Sequence, residues 1–295
     1  MAQAQRLALG SVAVGLLVLA LKLAAWLQTG SAALFSDAAE TVVNVAASLV
    51  AYLALRLAAK PADANHTYGH DKAEFFAAVI EGALIIVAAL AILDRAWEIW
   101  WHPAPLDAPW LALGLNAAGG GVNLIWALLL QVRGKRLRSP ALLADAGHLM
   151  ADVVTSIGVV LGVGLAALTG MLWLDPLLAA ATAIYILYAG ARMIGKSMSG
   201  LMDEAPASDV VARIRDLVSQ HAEGALEAHD LRTRHAGRVT FLEFHLVVPG
   251  AMTVAAAHEI CDRVETALKA EMEGLVITIH VEPEGKAKHH GVLVL

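Results

Sequence analysis

Ala144-Asp-Ala-Gly-His-Leu-Met-Ala-Asp-Val-Val-Thr-Ser156 is the stretch that decides the fold. It lies in an apolar run, residues 141–168, long enough to cross a bilayer, and it sets His148 and Asp152 four residues apart inside that run. An ionisable side chain at such depth is costly and marks an ion or proton pathway. The stretch also has a counterpart in the chain. Ser36-Asp-Ala-Ala-Glu-Thr-Val-Val-Asn-Val-Ala-Ala-Ser48 aligns with it without gaps, so that Asp37 matches Asp145, Glu40 matches His148 and Asn44 matches Asp152.

Spacings of three and four residues put each trio on one helical face. Two such faces turned together offer Glu40, Asn44, His148 and Asp152 to a single cation. Asp37 and Asp145, one turn away, are placed to orient those ligands or to lend a further carboxylate. The competing reading is that these groups glue helices together by hydrogen bonds. Repetition of the whole trio favours the ion site.

Composition agrees, with 58% hydrophobic residues, 16% charged and a mean hydropathy of +0.64. Six apolar segments, at 7–27, 33–57, 75–100, 109–131, 141–168 and 174–197, read as spanning helices. The first is of full spanning length and lacks a clear small-residue cleavage site, which predicts a retained span and not a signal peptide. Lys and Arg set the orientation. Arg56, Lys60 and Lys72 lie between the second and third segments, Arg133 to Arg138 between the fourth and fifth, and Arg192 and Lys196 near the end of the sixth. The opposite connections hold no Lys or Arg, and Trp26, Trp100, Trp101, Trp110 and Trp173 mark an aromatic belt there. Both termini are therefore expected in the cytoplasm, with a bacterial inner membrane as the setting.

Beyond Leu201 the apolar segments shorten and charge rises. Residues 201–295 hold fifteen of the 27 acids, nine of the 21 Lys and Arg and eight of the twelve histidines. An acidic, histidine-rich domain argues against nucleic acid and for cations. Patterning predicts helices at 209–221 and 254–272 and strands at 226–233, 239–248 and 275–282, a helix-on-sheet domain. The fold class expected is an α-helical membrane protein with six spans, followed by a small α+β domain of order αββαβ. The domains expected are residues 1–200 for transport, 201–285 for cytoplasmic metal binding and regulation, and 286–295 as a tail.

Alternation in the second strand puts Phe241, Glu243, His245 and Val247 on one face and Leu242, Phe244, Leu246 and Val248 on the other. In the third, His280 and Glu282 share a face. His229 and His258 complete a candidate site with His245, His280 and Glu282, and imidazole with carboxylate suits zinc and its neighbours. A third cluster, Asp63, His66 and His70, lies in the loop after the second span, where Asp71 and Glu74 read as a capping pair for the third. Glu81, deep in the third span, has Lys22 and Asn116 as candidate partners. The single Cys261 reads as a packed thiol.

These residues resemble the cation diffusion facilitators over nearly the whole chain. Asp63 to Glu74 is similar to that family's Asp-x-x-His-x-x-x-His-x-Lys-x-Glu segment, and His148 with Asp152 to the His-x-x-x-Asp of its fifth helix. His229-Asp-Leu-Arg-Thr-Arg234 looks like the corresponding segment of the family's bacterial zinc and ferrous-iron efflux pumps. The resemblance implies a ferredoxin-like cytoplasmic domain, a homodimer formed through it, and export of a divalent metal in exchange for protons. It also implies Glu40, Asn44, His148 and Asp152 as the transport site, with the loop and cytoplasmic clusters as further metal sites.

Two departures stand out. Glu40 and Asn44 replace a pair of aspartates, and Glu282 replaces an aspartate. A neutral amide removes one negative charge and leaves a harder oxygen donor. Zn2+ or Fe2+ is the expected substrate and regulator, with Mn2+ next and Co2+ and Cd2+ also within the donor chemistry. An intramembrane metal enzyme is disfavoured, because the chain has neither His-Glu-x-x-His nor Gly-x-Ser-x-Gly. A membrane-anchored metal sensor without transport is the alternative, but it needs no matched ladders in two spans.

Overall fold

The computed structural model describes residues 2–29, 32–102, 110–171, 173–288 and 292–293, without the side chains of 25–26, 28–29, 32–40, 110–113, 159, 162–164, 166–167, 175 and 292–293. Chain contacts divide it into two units, Met1–Met198 and Ser199–Leu295.

Six long helices build the first unit: α1 (Ala2–Thr29), α2 (Ala32–Ala58), α3 (Ala73–Trp101), α4 (Trp110–Leu137), α5 (Pro140–Thr169) and α6 (Leu174–Leu201). Segments of α1, α2, α3, α4 and α6 are, among the described residues, long and apolar enough to cross a membrane. The 30 residues of α5 pack on α3 and α4. Side-chain size is sorted from inside to outside. Ala4, Ala8, Ala51, Ala77, Ala127, Ala141 and Ala146 are buried, while Leu16, Leu17, Val87, Ile125, Leu161 and Ile184 point outward. Lipid is as apolar as leucine, so helices associate through small residues that let backbones approach, and the large side chains face the acyl chains.

The α3–α6 seam shows how close such an approach can be. A Cβ on Gly82 of α3 would lie 2.7 Å from the Ile194 side chain and 3.2 Å from the Gly190 carbonyl oxygen of α6.

The expected cap of α3 is corrected by the structure. Residues 70–72 already turn helically, so the cap position falls on Lys72, which makes no side-chain cap bond. Glu74 serves α5 instead. Its Oε2 accepts from the Ser139 hydroxyl and, at 3.4 Å, from the Ala141 N–H, while Ser139 Oγ accepts from the Leu142 N–H at 3.3 Å. Ser139 followed by Pro140 is a helix start, and the negative charge sits at the positive end of the helix dipole.

The second unit contains α7 (Ser208–His221), β1 (Glu227–Ala236), β2 (Val239–Val248), α8 (Val254–Glu271), β3 (Leu275–Pro283) and β4 (Val292–Leu293), with sheet order β3-β2-β1-β4. β1 and β2 form an antiparallel hairpin that turns at Gly237 (φ 60°), and α8 carries the chain across to β3, parallel to β2. Residues from 286 onward, expected as a plain tail, contribute β4 to the free edge of β1. Two residues are too short a strand for alternation to reveal. Ile214, Leu217, Val218, Ile260, Cys261, Val264 and Leu268 of the helices pack on Leu242, Phe244, Leu246 and Val248 of β2. Cys261 is thus a core thiol, and burial pushes its pKa up.

Candidate metal sites

Helices α2 and α5 meet where their polar ladders face. Asn44 Nδ2 donates to Asp152 Oδ2 at 2.6 Å, and Asn44 Oδ1 lies 2.9 Å from His148 Nε2. One amide therefore ties the imidazole to the carboxylate across the seam. One turn along α5, Asp145 Oδ1 accepts from Ser48 Oγ of α2 at 3.1 Å. His148 and Asp145 are 4% and 1% exposed. The structure thus brings together Asn44, His148 and Asp152, with Asp145 beside them; the side chains of Glu40 and Asp37 lie outside the described residues. Within the trio the amide meets both of its neighbours, as a low-dielectric interior favours, while Asp145 Oδ2 is left without a hydrogen-bond partner. An amide oxygen, an imidazole and a carboxylate then become available to a cation once the two bridging hydrogen bonds open.

The loop cluster is compact. Asp63 Oδ1 accepts from the backbone N–H of Asn65 and His66 at 2.9 and 2.7 Å, a turn that pins the carboxylate. Those N–H groups, chiefly that of His66, hold the Asp63 pKa below its ordinary value. His66 Nδ1 lies 3.2 Å from Oδ1 and His70 Nε2 lies 3.4 Å from Oδ2. Gly69, at φ 85°, folds the chain so that the two rings stand 4.5 Å apart.

In the second unit the register pairs His229 with His245 and His245 with His280, lining three imidazoles across neighbouring strands. Glu282 reaches all three: Oε2 lies 3.3 Å from His229 Nε2, and Oε1 lies 3.4 Å from His245 Nδ1 and 3.7 Å from His280 Nε2. Side-chain exposure rises from 2% at His229 to 34% at His245 and 65% at His280, so the cluster is rooted in the fold and open to water at one end.

His258 is the expected ligand that this chain does not bring in. It sits on α8 next to core-facing Ala257, is 74% exposed, and has Nε2 3.7 Å from Asp262 Oδ1. The helices cover the Leu242–Phe244–Leu246 face of the sheet, and the histidines line the other. The less apolar face also holds Phe241, which is buried because the Arg234 guanidinium lies 4.2 Å over its ring.

Two residues escaped the sequence reading. Asp230 joins His229 and His245, with ligand atoms all within 4.8 Å of one another, and Glu227 Oε1 lies 3.4 Å from His229 Nδ1. Strict alternation would send Asp230 toward the core beside Ala228. A bulge between His229 and Arg232, with Asp230 at φ 51°, inserts one residue, so Ala228 and Leu231 both face the core and Asp230 does not. The signal in the sequence was the His-Asp dipeptide itself, since Asp tolerates a left-handed backbone. The Lys288 ammonium, 2.5 Å from Asp230 Oδ2, holds that carboxyl below its ordinary pKa.

The cation efflux transmembrane domain family matches residues 8–202, and the cation efflux protein cytoplasmic domain family matches residues 206–284. The chain belongs to the cation diffusion facilitator family.

This family member is 42% identical over 273 residues to the uncharacterised transporter sll1263 of Synechocystis sp., covering 92% of this chain and 88% of that one. It is 32% identical over 276 residues to the cation-efflux pump FieF of Serratia proteamaculans, covering 94% and 91%. FieF of Yersinia pestis matches to the same extent, 32% over 94% and 91%. A solved structure of CzrB in its Zn form is 52% identical over 29% of this chain and 98% of that one, with a TM-score of 0.28. The protein is an integral membrane cation efflux transporter.

Proposed function

We propose that this facilitator exports a divalent metal cation from the cytoplasm in exchange for protons, with Glu40, Asn44, His148 and Asp152 as the transport ligands. The observation that carries the reading is the Asn44 amide bridging His148 and Asp152 between α2 and α5. A bridge of this kind is a two-state element. In one state the polar groups satisfy each other, and in the other a cation replaces the hydrogen bonds. Metal and proton compete for the imidazole nitrogen, and an imidazole ordinarily titrates near neutral pH, so His148 couples cation release to proton binding. Asp145, held by Ser48, and Asp37 orient the ligands.

Zn2+ or Fe2+ is the substrate that the donor set favours, since one imidazole and three oxygens suit either, with Mn2+ next and Co2+ and Cd2+ also admitted. The FieF relatives are cation-efflux pumps, which supports efflux as the direction of transport. Both termini face the cytoplasm of a bacterial inner membrane, as the Lys and Arg distribution directs. His229, His245, His280 and Glu282 hold regulatory metal in a cytoplasmic domain through which two chains pair, and Asp63, His66 and His70 form a loop site on the entry side. His258, exposed on α8, contributes only if its surroundings change on pairing. The reading is of a transporter and not an enzyme.

The test is uptake of Zn2+, Fe2+, Mn2+, Co2+ and Cd2+ into proteoliposomes under an imposed pH gradient, with Asp152→Ala as control. Proton-dependent flux that is lost in the control is the expected result, and the metal ranking comes from the same data. No flux for any metal, with metal still bound by the protein, would replace this reading with a membrane-anchored metal sensor.

A further inference from the structure

Glu81 sits deep in α3, 0% exposed, and neither of its carboxylate oxygens has a hydrogen-bond partner. The partners suggested by the sequence do not reach it, because α3 packs on α2 and α5, whereas Lys22 lies against Gly119 on the α1–α4 seam and Asn116 belongs to α4. The charge within electrostatic reach is Asp145 of α5, 1% exposed, whose Oδ2 likewise makes no hydrogen bond. Both Glu81 oxygens and Asp145 Oδ2 are thus buried without a hydrogen-bond partner, and Asp145 stands one helical turn from His148 on α5.

Among the described residues no cation lies within reach of Glu81, whereas Asp145 has the Ser48 and Ser11 hydroxyls and the titratable His148 beside it. α6 meets the neighbouring Gly82 with Gly190 and Ile194, and its Arg192 and Lys196 are exposed. α2 offers Ser48 and Asn44, and its Arg56 is exposed. α5 brings Asp145, then His148 and Asp152. Glu74, two turns earlier on α3, is engaged with Ser139. An unpaired carboxylate in a membrane interior gives up its charge by binding a proton, and two neighbouring ones cannot both ionise.

We propose that Glu81 is a proton-binding residue of the transport cycle, holding a proton beside Asp145 that leaves when a dication enters the Asn44–His148–Asp152 site and returns when it departs. The idea rests on the proton-exchange reading above. As the dication arrives, the Glu81 O–H bond breaks, the proton passes to cytoplasmic water, and the carboxylate left behind offsets one of the two incoming charges. This is the charge that Asn44 does not supply. When the cation leaves outward, a proton from the outer side re-forms the O–H bond. Glu81 acts through the field and does not touch the cation.

The experiment uses the full-length protein with Zn2+ as probe, comparing wild type, Glu81→Gln, Glu81→Asp and Asp152→Ala. Protons moved per zinc are counted in liposomes holding pH and zinc dyes. In parallel, infrared difference spectra on adding zinc follow the carbonyl stretch of a protonated carboxylic acid. Glu81→Gln should bind zinc as wild type does, lose that carbonyl signal, move one proton fewer per zinc and show a flattened dependence of flux on outer pH. Glu81→Asp should shift the signal and keep the proton count, which guards against a Gln variant that fails to fold. An unchanged signal and proton count in Glu81→Gln would overturn the proposal, as would loss of zinc affinity with the acid signal retained, the mark of a cation waystation. Wild-type zinc flux without proton movement would instead defeat the exchange reading itself.

Discussion

The membrane cluster and the cytoplasmic cluster use the same donor types under opposite constraints. Between α2 and α5, Asn44, His148 and Asp152 close on one another at 2.6 and 2.9 Å. On the sheet, the nitrogens of His229, His245 and His280 stand 3.3 to 3.7 Å from Glu282, and water can reach the outer end. A site in the membrane interior must satisfy its own polar groups when no cation is bound, or pay their full desolvation. A site at a sheet surface can leave that task to solvent. On the proposed reading, the first therefore switches between a self-bonded and a cation-bound arrangement, and the second fills and empties gradually with metal concentration.

The strongest attack on this contrast is Asp152→Ala. It removes the carboxylate that Asn44 holds and should abolish metal flux in proteoliposomes, while metal binding at the sheet, measured by equilibrium dialysis of the whole protein, persists. Full flux in this variant would dissolve the distinction. Next, the double change His245→Ala with His280→Ala should remove most of the metal bound outside the membrane. At saturating metal, flux should survive it, and the response to rising metal should weaken. Unchanged binding would mean that the histidine row is not a metal site.

Asn44→Asp sharpens the comparison. It places a second carboxylate against Asp152 and removes the amide that bridged to it, so the metal-free protein should lose stability and the ranking of transported metals should change. An identical ranking would show that the amide does not set selectivity. Smaller again is Ser139→Ala, which removes the cap of α5 and a donor to Glu74. A loss of about 1–2 kcal/mol is expected, read as a lower unfolding temperature in detergent. Smallest is the pH response of the loop turn. The Asp63 carboxyl is depressed from 3.8, so its contribution is complete above that pH and fades only as pH falls through the lower folded value. Hydrogen exchange at Asn65 and His66 should therefore show no carboxylate-driven loosening between pH 5 and pH 8 (about the neutral working range).

Much of this was legible because periodicity reports local geometry. The three- and four-residue spacing of Glu40–Asn44 and Asp145–His148–Asp152 placed polar groups on one helical face, and period-two alternation placed His245 away from Leu242, Phe244 and Leu246. Irregular backbone was illegible. One residue inserted at Asp230 reverses the alternation of β1, and the helical turn at residues 70–72 moves Glu74 from its own helix start to that of α5.

By itself, the chain determined what depends on residue type and short spacing: the apolar helices, the two polar ladders, the helix-strand-strand-helix-strand order and the family motifs. Tertiary structure alone decided which groups meet. It set the Asn44 amide between His148 and Asp152, turned His258 away from the histidine row, and left Glu81 beside Asp145 and out of reach of Lys22. The reason is physical. Spacing along a chain fixes direction relative to its own helix or strand, whereas the partner across a seam depends on how separate elements pack, and no single segment encodes that.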